Sequence, residues 1–362
     1  MKIGIVTVQD SNNFGSFLQA YALEHVLTTM GHEVFFIRTR SKEYIRGLFY
    51  QDRPHGRQWL RLRGFLRNNY PGWKKYRRFQ REQKGFKVIE LEQADGLDLA
   101  ILGSDEIWNV NTHVFRSPIF YGQGLKKVMA YAVSIGNAEI SDMSCIDTAW
   151  FQRINPIFAR DWHTADFLRT IQIEAPVVCD PTILVDKALF YRKFRHSLLD
   201  GTPYLLVYTY GMSPEMAEGI RSFAKEKHLR VLSACFSFPW CDGNLDCSAL
   251  DFCSVLENAD YVFTSTYHGT IFSILNHKRF VSFPQSRKTR DLLEHLSLSD
   301  RLINERECNR VTLENIFANQ IDYVEVDRIL GEWREKSIHL LQEGIKCDGR
   351  NNEVKKTTWE NP

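Results

Sequence analysis

Short apolar runs alternate with amphipathic helical stretches along this chain, and the rhythm starts twice. Ile3 to Val8 reads as a buried strand. Leu18, Ala22, Val26 and Met30 mark one apolar helix face, Gly31 ends that helix, and Glu33 to Arg38 reads as a second strand. Leu99 to Leu102, Val128 to Ser134 and Val177 to Cys179 extend the pattern. It begins again with a strand from Tyr204 to Tyr208, a helix from Pro214 to Lys227, and strands at Arg230 to Ala234, Tyr261 to Thr264 and Arg279 to Phe283. Alternation of this kind predicts an α/β fold of two doubly wound parallel sheets.

The length of 362 residues suits two domains of about 150 each. The expected boundaries are 1–185 for the first domain and 203–325 for the second, with a hinge between. A terminal helix is expected over 326–345, and a polar, mobile tail over 346–362. No apolar run approaches the roughly 18 residues of a membrane span, and Ile3 to Val8 is too short for a signal peptide. A cytoplasmic location is expected. Four of the eight cysteines recur every six residues from Cys235 to Cys253. Zinc sites instead use cysteine pairs about two to four residues apart, so no structural metal is expected.

Chemistry collects at the strand tips. The apolar run Ala259 to Phe263 passes through Thr264, Ser265, Thr266, Tyr267, His268, Gly269 and Thr270 into a helical pattern. In open α/β sheets ligands bind where strand carboxyl ends meet helix N-termini. A histidine there either exchanges protons with a ligand near neutral pH or caps the helix. Five further motifs precede it: Asn13 to Leu23 (NFGSFLQAYAL), Gly103 to Asn109 (GSDEIWN), Tyr131 to Gly136 (YAVSIG), Ala159-Arg160-Asp161, and Cys179 to Leu184 (CDPTIL). No G-x-G-x-x-G follows the first strand, so there is no dinucleotide fingerprint. In this order the six motifs resemble the polysaccharide pyruvyl transferase family, over about residues 3 to 302.

The resemblance implies two Rossmann-like domains facing a cleft, in a GT-B-like arrangement. It also implies transfer of pyruvate from phosphoenolpyruvate onto two hydroxyls of a hexose, galactose O4 and O6 being common in the family. The product is a cyclic ketal on a surface polysaccharide or on a polyprenyl-diphosphate-linked precursor, and no cofactor is implied. By resemblance His268 is the general acid, and Arg160 binds the donor phosphate or carboxylate. Arg160 equally suits a structural pair with Asp161 or Asp180. Some family members carry an arginine where this chain has Thr266. The hydroxyls of Ser265, Thr266 and Thr270, with the backbone N–H groups of Tyr267 to Thr270 (Gly269 among them), are expected to share the donor's charge instead. Arg287, Lys288 and Arg290 are further cations within reach. Asp105 is expected either to act as base or hydroxyl-orienting group or to cap a helix. Its neighbours Ser104 and Glu106 should face the cleft. Asn13, Gly15 and Gln19 are expected on the acceptor side, and Trp108 either stacks on a sugar or sits in the core. Asp180-Pro181 reads as structural.

Two competing functions share this sequence. A nucleotide-sugar glycosyltransferase would use the same architecture, and a non-catalytic scaffold would bind membrane or nucleic acid through residues 41–85. That segment carries 13 Lys and Arg against three acidic residues, while the whole chain is only +2. Tyr44, Trp59, Tyr70 and Trp73 are interleaved with the cations. Cationic aromatic segments suit an anionic membrane surface; a solvated helical excursion is the alternative, and nucleic acid is not the expected partner. If the segment holds the protein on the inner face of the membrane, co-sedimentation with anionic vesicles should fall at high salt. It should also fall when Arg61, Arg63 and Arg67 are changed to Glu; binding indifferent to both changes would leave the solvated excursion.

Overall fold

A computed structural model of the chain describes residues 1–47, 74–283 and 286–347. The first half contains β1 (Lys2–Val6), α1 (Phe14–Thr29), β2 (Glu33–Ile37), α2 (Lys42–Gly47), α3 (74–82) and β3 (Val88–Ile89). It continues with β4 (Leu99–Leu102), β5 (Val128–Val133), α4 (Ala149–Gln152), β6 (Ile157–Ala159), α5 (Trp162–Thr170) and α6 (Pro181–Leu184). The second half contains β7 (Tyr204–Tyr208), α7 (Pro214–Glu226), β8 (Arg230–Ala234), β9 (Gly243–Leu245), α8 (Ala249–Glu257) and β10 (Tyr261–Thr264). Then follow α9 (Tyr267–Leu275), β11 (Arg279–Ser282), α10 (Arg287–His295), α11 (Arg310–Ala318) and α12 (Tyr323–Lys346).

Both sheets are parallel throughout, ordered β3-β2-β1-β4-β5-β6 and β11-β10-β7-β8-β9. Read from its far edge, the second sheet repeats the order of the first through its fifth strand. Each therefore reverses direction beside its own first strand, between β1 and β4 and between β7 and β10. Crevices for ligands open at such switch points, outside the strand carboxyl ends. Every residue of β4, β5 and β7 is buried, as sheets covered on both faces require.

The sequence reading needs three corrections here. Val177 to Cys179 is not a strand; Val177 makes only an isolated bridge to Ala159. The sixth strand is β6, three residues long, and β3 and β9 were also missed. The terminal helix begins at Tyr323 and returns to the first domain. There Ser337 Oγ accepts from the Cys179 N–H (3.0 Å) and Arg334 Nε donates to the Ile183 carbonyl (2.6 Å). A Cβ at Gly344 would lie 2.8 Å from Met129, so glycine lets α12 sit this close to β5.

Residues 48–73, with Trp59, Tyr70, Trp73 and the three test arginines, lie outside the described residues, as do 348–362. The described end of the basic segment is packed across both domains. Phe79 of α3 is buried against Phe14 and Phe17 of α1 (ring centroids 5.8 and 6.4 Å). Arg78 and Lys74 pair with Asp246 of the second domain. The Glu82 carboxylate accepts from the Ala249 and Leu250 N–H groups at the start of α8 (3.3 and 3.1 Å). Among the described residues no helix is long and apolar enough to cross a membrane.

At the other end of the domain interface α10 lies against α5, and Asp291 of α10 has a buried carboxylate oxygen, Oδ2, without a hydrogen-bond partner among the described residues. Burial, with Asp161 and Glu294 adding to it, pushes the Asp291 carboxyl up to about 6. A carboxyl raised in the folded state contributes stability below its unfolded value of about 4, and this is lost as pH rises through its folded value. Asp291→Asn should therefore melt higher than the parent at pH 8 and show no gain at pH 4.

Candidate active site

The two switch points face each other across a cleft of about 360 Å³, within the ordinary range for a small-molecule site. The first domain contributes Asn13 and Ser16 after β1, and Asp105 and Glu106 after β4. The second contributes Tyr210 after β7, Thr266 and His268 after β10, and Lys288 after β11.

The chain after β4 is shaped to present its carboxylates. Gly103 has φ +110°, and a Cβ there would meet the Tyr131 carbonyl at 2.3 Å. Asp105 itself adopts φ +91°, a region that non-glycine residues occupy at a cost of about 1–3 kcal/mol where the surroundings enforce it. Its backbone is held by a bridge to Val133. Its side chain accepts from Ser16 Oγ (2.7 Å) and from the Glu106 N–H (2.8 Å). Burial pushes the Asp105 carboxyl up, but Arg160, Lys288 and the Ser16 hydroxyl outweigh it, so the net shift is downward. Glu106 behaves alike: burial is overcome by Lys288 and Arg160. Lys288 is directly paired with Glu106 across the cleft. Both carboxylates are ionised at neutral pH.

Behind them lies a buried charge cluster. The Arg160 side chain is fully buried, with Nη1 3.5 Å from Asp105 Oδ1 and 3.4 Å from Asp180 Oδ2. Both carboxylates raise its already high pKa against the pull of burial. Thr182 occupies Asp180 Oδ1 through its N–H (3.0 Å) and hydroxyl (2.7 Å). Oδ2 is left to Arg160 and to His268 Nε2, 3.6 Å away; that separation is an ion-pair distance, too long for a hydrogen bond. Burial is again overcome at Asp180, here by His268 first and Arg160 next, so this carboxyl is held well below the usual range. The Tyr267 ring sits between two cations, Arg160 at 5.2 Å and Lys288 at 5.0 Å from its centroid.

The expected residues divide. His268, Thr266, Ser265, Tyr267, Asp105, Glu106 and Asn13 all line the cleft. Thr266 caps α9, accepting from the Gly269 N–H (2.9 Å), and Ser265 Oγ meets Thr209 Oγ1 (2.8 Å). Others are structural in this geometry. Thr270 is buried, bonded to the Thr266 carbonyl (3.0 Å) and near Ser282 Oγ. Ser104 is buried. Gln19 is wholly internal, donating to Thr7 Oγ1 and to the Ser16 carbonyl. Trp108 is a core residue, its indole N–H on the Phe120 carbonyl and its ring against Tyr121 and Phe151, which leaves no face for a sugar. Arg160 stands behind the cleft wall and acts on the site through Asp105 and Asp180. Asp161 is not its partner; it caps α5 through Thr164. Gly15 packs on His268, since a Cβ there would lie 2.1 Å from Nδ1. Sequence reasoning missed Tyr210 and undervalued Lys288. Tyr210 lies just after β7 and Lys288 in the first turn of the helix that follows β11, and those positions are the signal available in the sequence.

Fold and cleft together define a two-domain, GT-B-like α/β protein with a polar site at its interdomain switch points. Solved structures agree on the fold. A Listeria monocytogenes protein assigned as a UDP-N-acetylglucosamine 2-epimerase superposes with TM-score 0.58 at 11% identity, covering 95% of each chain. The UDP-GlcNAc 2-epimerase of Methanocaldococcus jannaschii gives 0.55 at 9%, covering 95% of this chain and 100% of that one. The Neisseria meningitidis enzyme bound to UDP-GlcNAc gives 0.53 at 8%, covering 95% and 99%. Identities this low carry the fold alone. Within that class the chain belongs to the polysaccharide pyruvyl transferase family, whose model matches residues 13–287. No curated protein matches it.

Gly15→Ala tests the contact between α1 and the histidine. The added methyl must displace the His268 ring, and overpacking of this kind costs about 1–3 kcal/mol. A lowered melting temperature is expected, together with loss of whatever activity depends on His268. A variant that melts and turns over like the parent would show that the two helices separate freely.

Proposed function

We propose that this protein is a phosphoenolpyruvate-dependent ketal pyruvyl transferase. It acts on two hydroxyls of one hexose, for which we favour galactose O4 and O6, in a surface polysaccharide or its polyprenyl-diphosphate-linked precursor. The observation that supports the reading is His268 at the cleft wall, backed by the Asp180 carboxylate that Arg160 also meets, with the Lys288 cation over the neighbouring Tyr267 ring. A small polyanionic donor needs such positive charge, together with the N-terminus of α9.

In the proposed reaction His268 delivers a proton to the terminal vinyl carbon of phosphoenolpyruvate while one sugar oxygen attacks the adjacent carbon. Phosphate then departs from that carbon, the second hydroxyl closes the ring, and both hydroxyl protons are released. One donor and one diol thus give one ketal and one phosphate. Asp180 stands behind the histidine, its Oδ2 3.6 Å from Nε2. Lys288, released from Glu106, meets the donor's charge, and the proposal includes no cofactor. Because Asp105 is held low by its cations, it is a poor base at neutral pH; its role is to accept a hydrogen bond from the acceptor hydroxyl and orient it. A peripheral position on an anionic membrane would bring a lipid-linked acceptor to the cleft.

The test is phosphate release from phosphoenolpyruvate in the presence of a galactosyl acceptor, with the ketal product identified by mass. His268→Ala should lower turnover by about 10²- to 10⁴-fold without unfolding the protein. Activity within a few-fold of the parent would remove the histidine from the mechanism, and no phosphate release by the parent would remove the reaction.

A further inference from the structure

We propose that Tyr210 is the platform on which the acceptor sugar stacks, the role that Trp108 cannot fill from the core; the proposal rests on the pyruvyl-transfer reading above. A pyranose that offers two hydroxyls to one reacting carbon presents a polar edge to the chemistry. Its C–H face then needs an apolar wall at a fixed distance from the donor. Of the large apolar and aromatic side chains that stand exposed among the described residues, Tyr210 alone lines the cleft, at 53% exposure.

Exposure of an aromatic ring favours stacking only if the ring is held still, and this one is held at several points. Asn13 Nδ2 donates to the Tyr210 hydroxyl (2.8 Å), while Asn13 Oδ1 accepts from the Gly15 N–H (2.8 Å). The amide that caps α1 in the first domain therefore fixes a ring of the second. Phe236 packs edge-on to the ring, centroids 5.2 Å apart at 62°. Phe236 is itself steadied by the Lys75 ammonium of α3, 5.6 Å from its centroid. The Tyr210 backbone N–H points at Ser265 Oγ (3.4 Å), next to the residues that cap the His268 helix. A preorganised aromatic surface loses little conformational entropy when a ligand covers it. The ring thus stands across the cleft from Asp105, the group proposed to orient the hydroxyl, and beside the strand tip that carries His268.

Steady-state kinetics and a donor-free binding measurement test this together. Tyr210→Ala should raise the acceptor KM at least tenfold, with kcat and the phosphoenolpyruvate KM within about threefold of the parent. Tyr210→Phe, which keeps the ring but loses the Asn13 anchor, should raise the acceptor KM clearly less than Tyr210→Ala does, and Tyr210→Leu guards against a folding defect in the alanine variant. Saturation-transfer NMR with methyl β-galactopyranoside and no phosphoenolpyruvate should show ring-proton contacts in the parent that vanish in Tyr210→Ala. An unchanged acceptor KM in both Tyr210→Ala and Tyr210→Leu would overturn the platform. So would a Tyr210→Phe variant as impaired as the alanine one, since the hydroxyl and not the ring would then matter, or absence of saccharide contacts in the parent. If the parent binds the saccharide through Tyr210 but releases no phosphate, the platform stands and the pyruvyl-transfer reading fails.

Discussion

The site is organised around one buried anion. Asp180 is fully buried just before α6, where the first domain gives way to the hinge, and a charge in that position must be matched by partners. Thr182 satisfies one oxygen, and the other faces both Arg160 and His268. Arg160 in turn stands against Asp105, and Tyr267 separates it from Lys288, which pairs with Glu106. Three carboxylates and two permanent cations are thus matched within one cluster that spans both domains. Removing one partner from such a buried arrangement leaves its neighbour uncompensated, at about 3–5 kcal/mol. The cluster ties the two domains together through Asp180–His268 and Lys288–Glu106, and its cations hold the Asp105 and Glu106 carboxyls low against the pull of burial.

The two sheets explain why these residues meet at all. Each has the same strand order, so each has a switch point beside its first strand. Facing the two domains brings both switch points into one cavity. Each wall then carries a helix N-terminus: α1 begins at Asn13 on one side, and α9 begins after Thr266 on the other. The close approach at Gly15 and His268 is where these two helix starts touch.

Much of this was legible in the sequence, because a buried parallel strand is a continuous apolar run and its polar tip is conspicuous. His268, Thr266, Asp105 and Glu106 were located in this way. Elements whose apolar signal is short or absent were not: β6 has three residues, and β9, Gly243–Leu245, has one buried side chain. Val177 to Cys179 has the composition of a strand, yet only Val177 finds a bridge partner. Trp108 shares its motif with Asp105, but the turn that exposes the carboxylate sends the indole inward, and no spacing rule foretells that. Arg160 reads from the sequence either as a donor ligand or as the partner of Asp161 or Asp180, because its charge is visible there while its burial against Asp180 is not. Tyr210 carries no motif, and its role depends on Asn13, a residue 197 positions away.

The seam between the domains is unlike at its two ends. Near α3 it is aromatic: Phe14 lies 5.8 Å from Phe79 and 5.6 Å from Phe252 of the second domain, all three buried. Near α10 it is ionic, with Arg287 on Glu139 and half of each side chain in solvent. Exposed ion pairs contribute about 0–1 kcal/mol and weaken with salt, whereas burial of apolar rings is insensitive to it. At the α3 end Arg78 also pairs with Asp246 across the domains, so added salt weakens rim pairs at both ends while the Phe14–Phe252 contact between the domains persists.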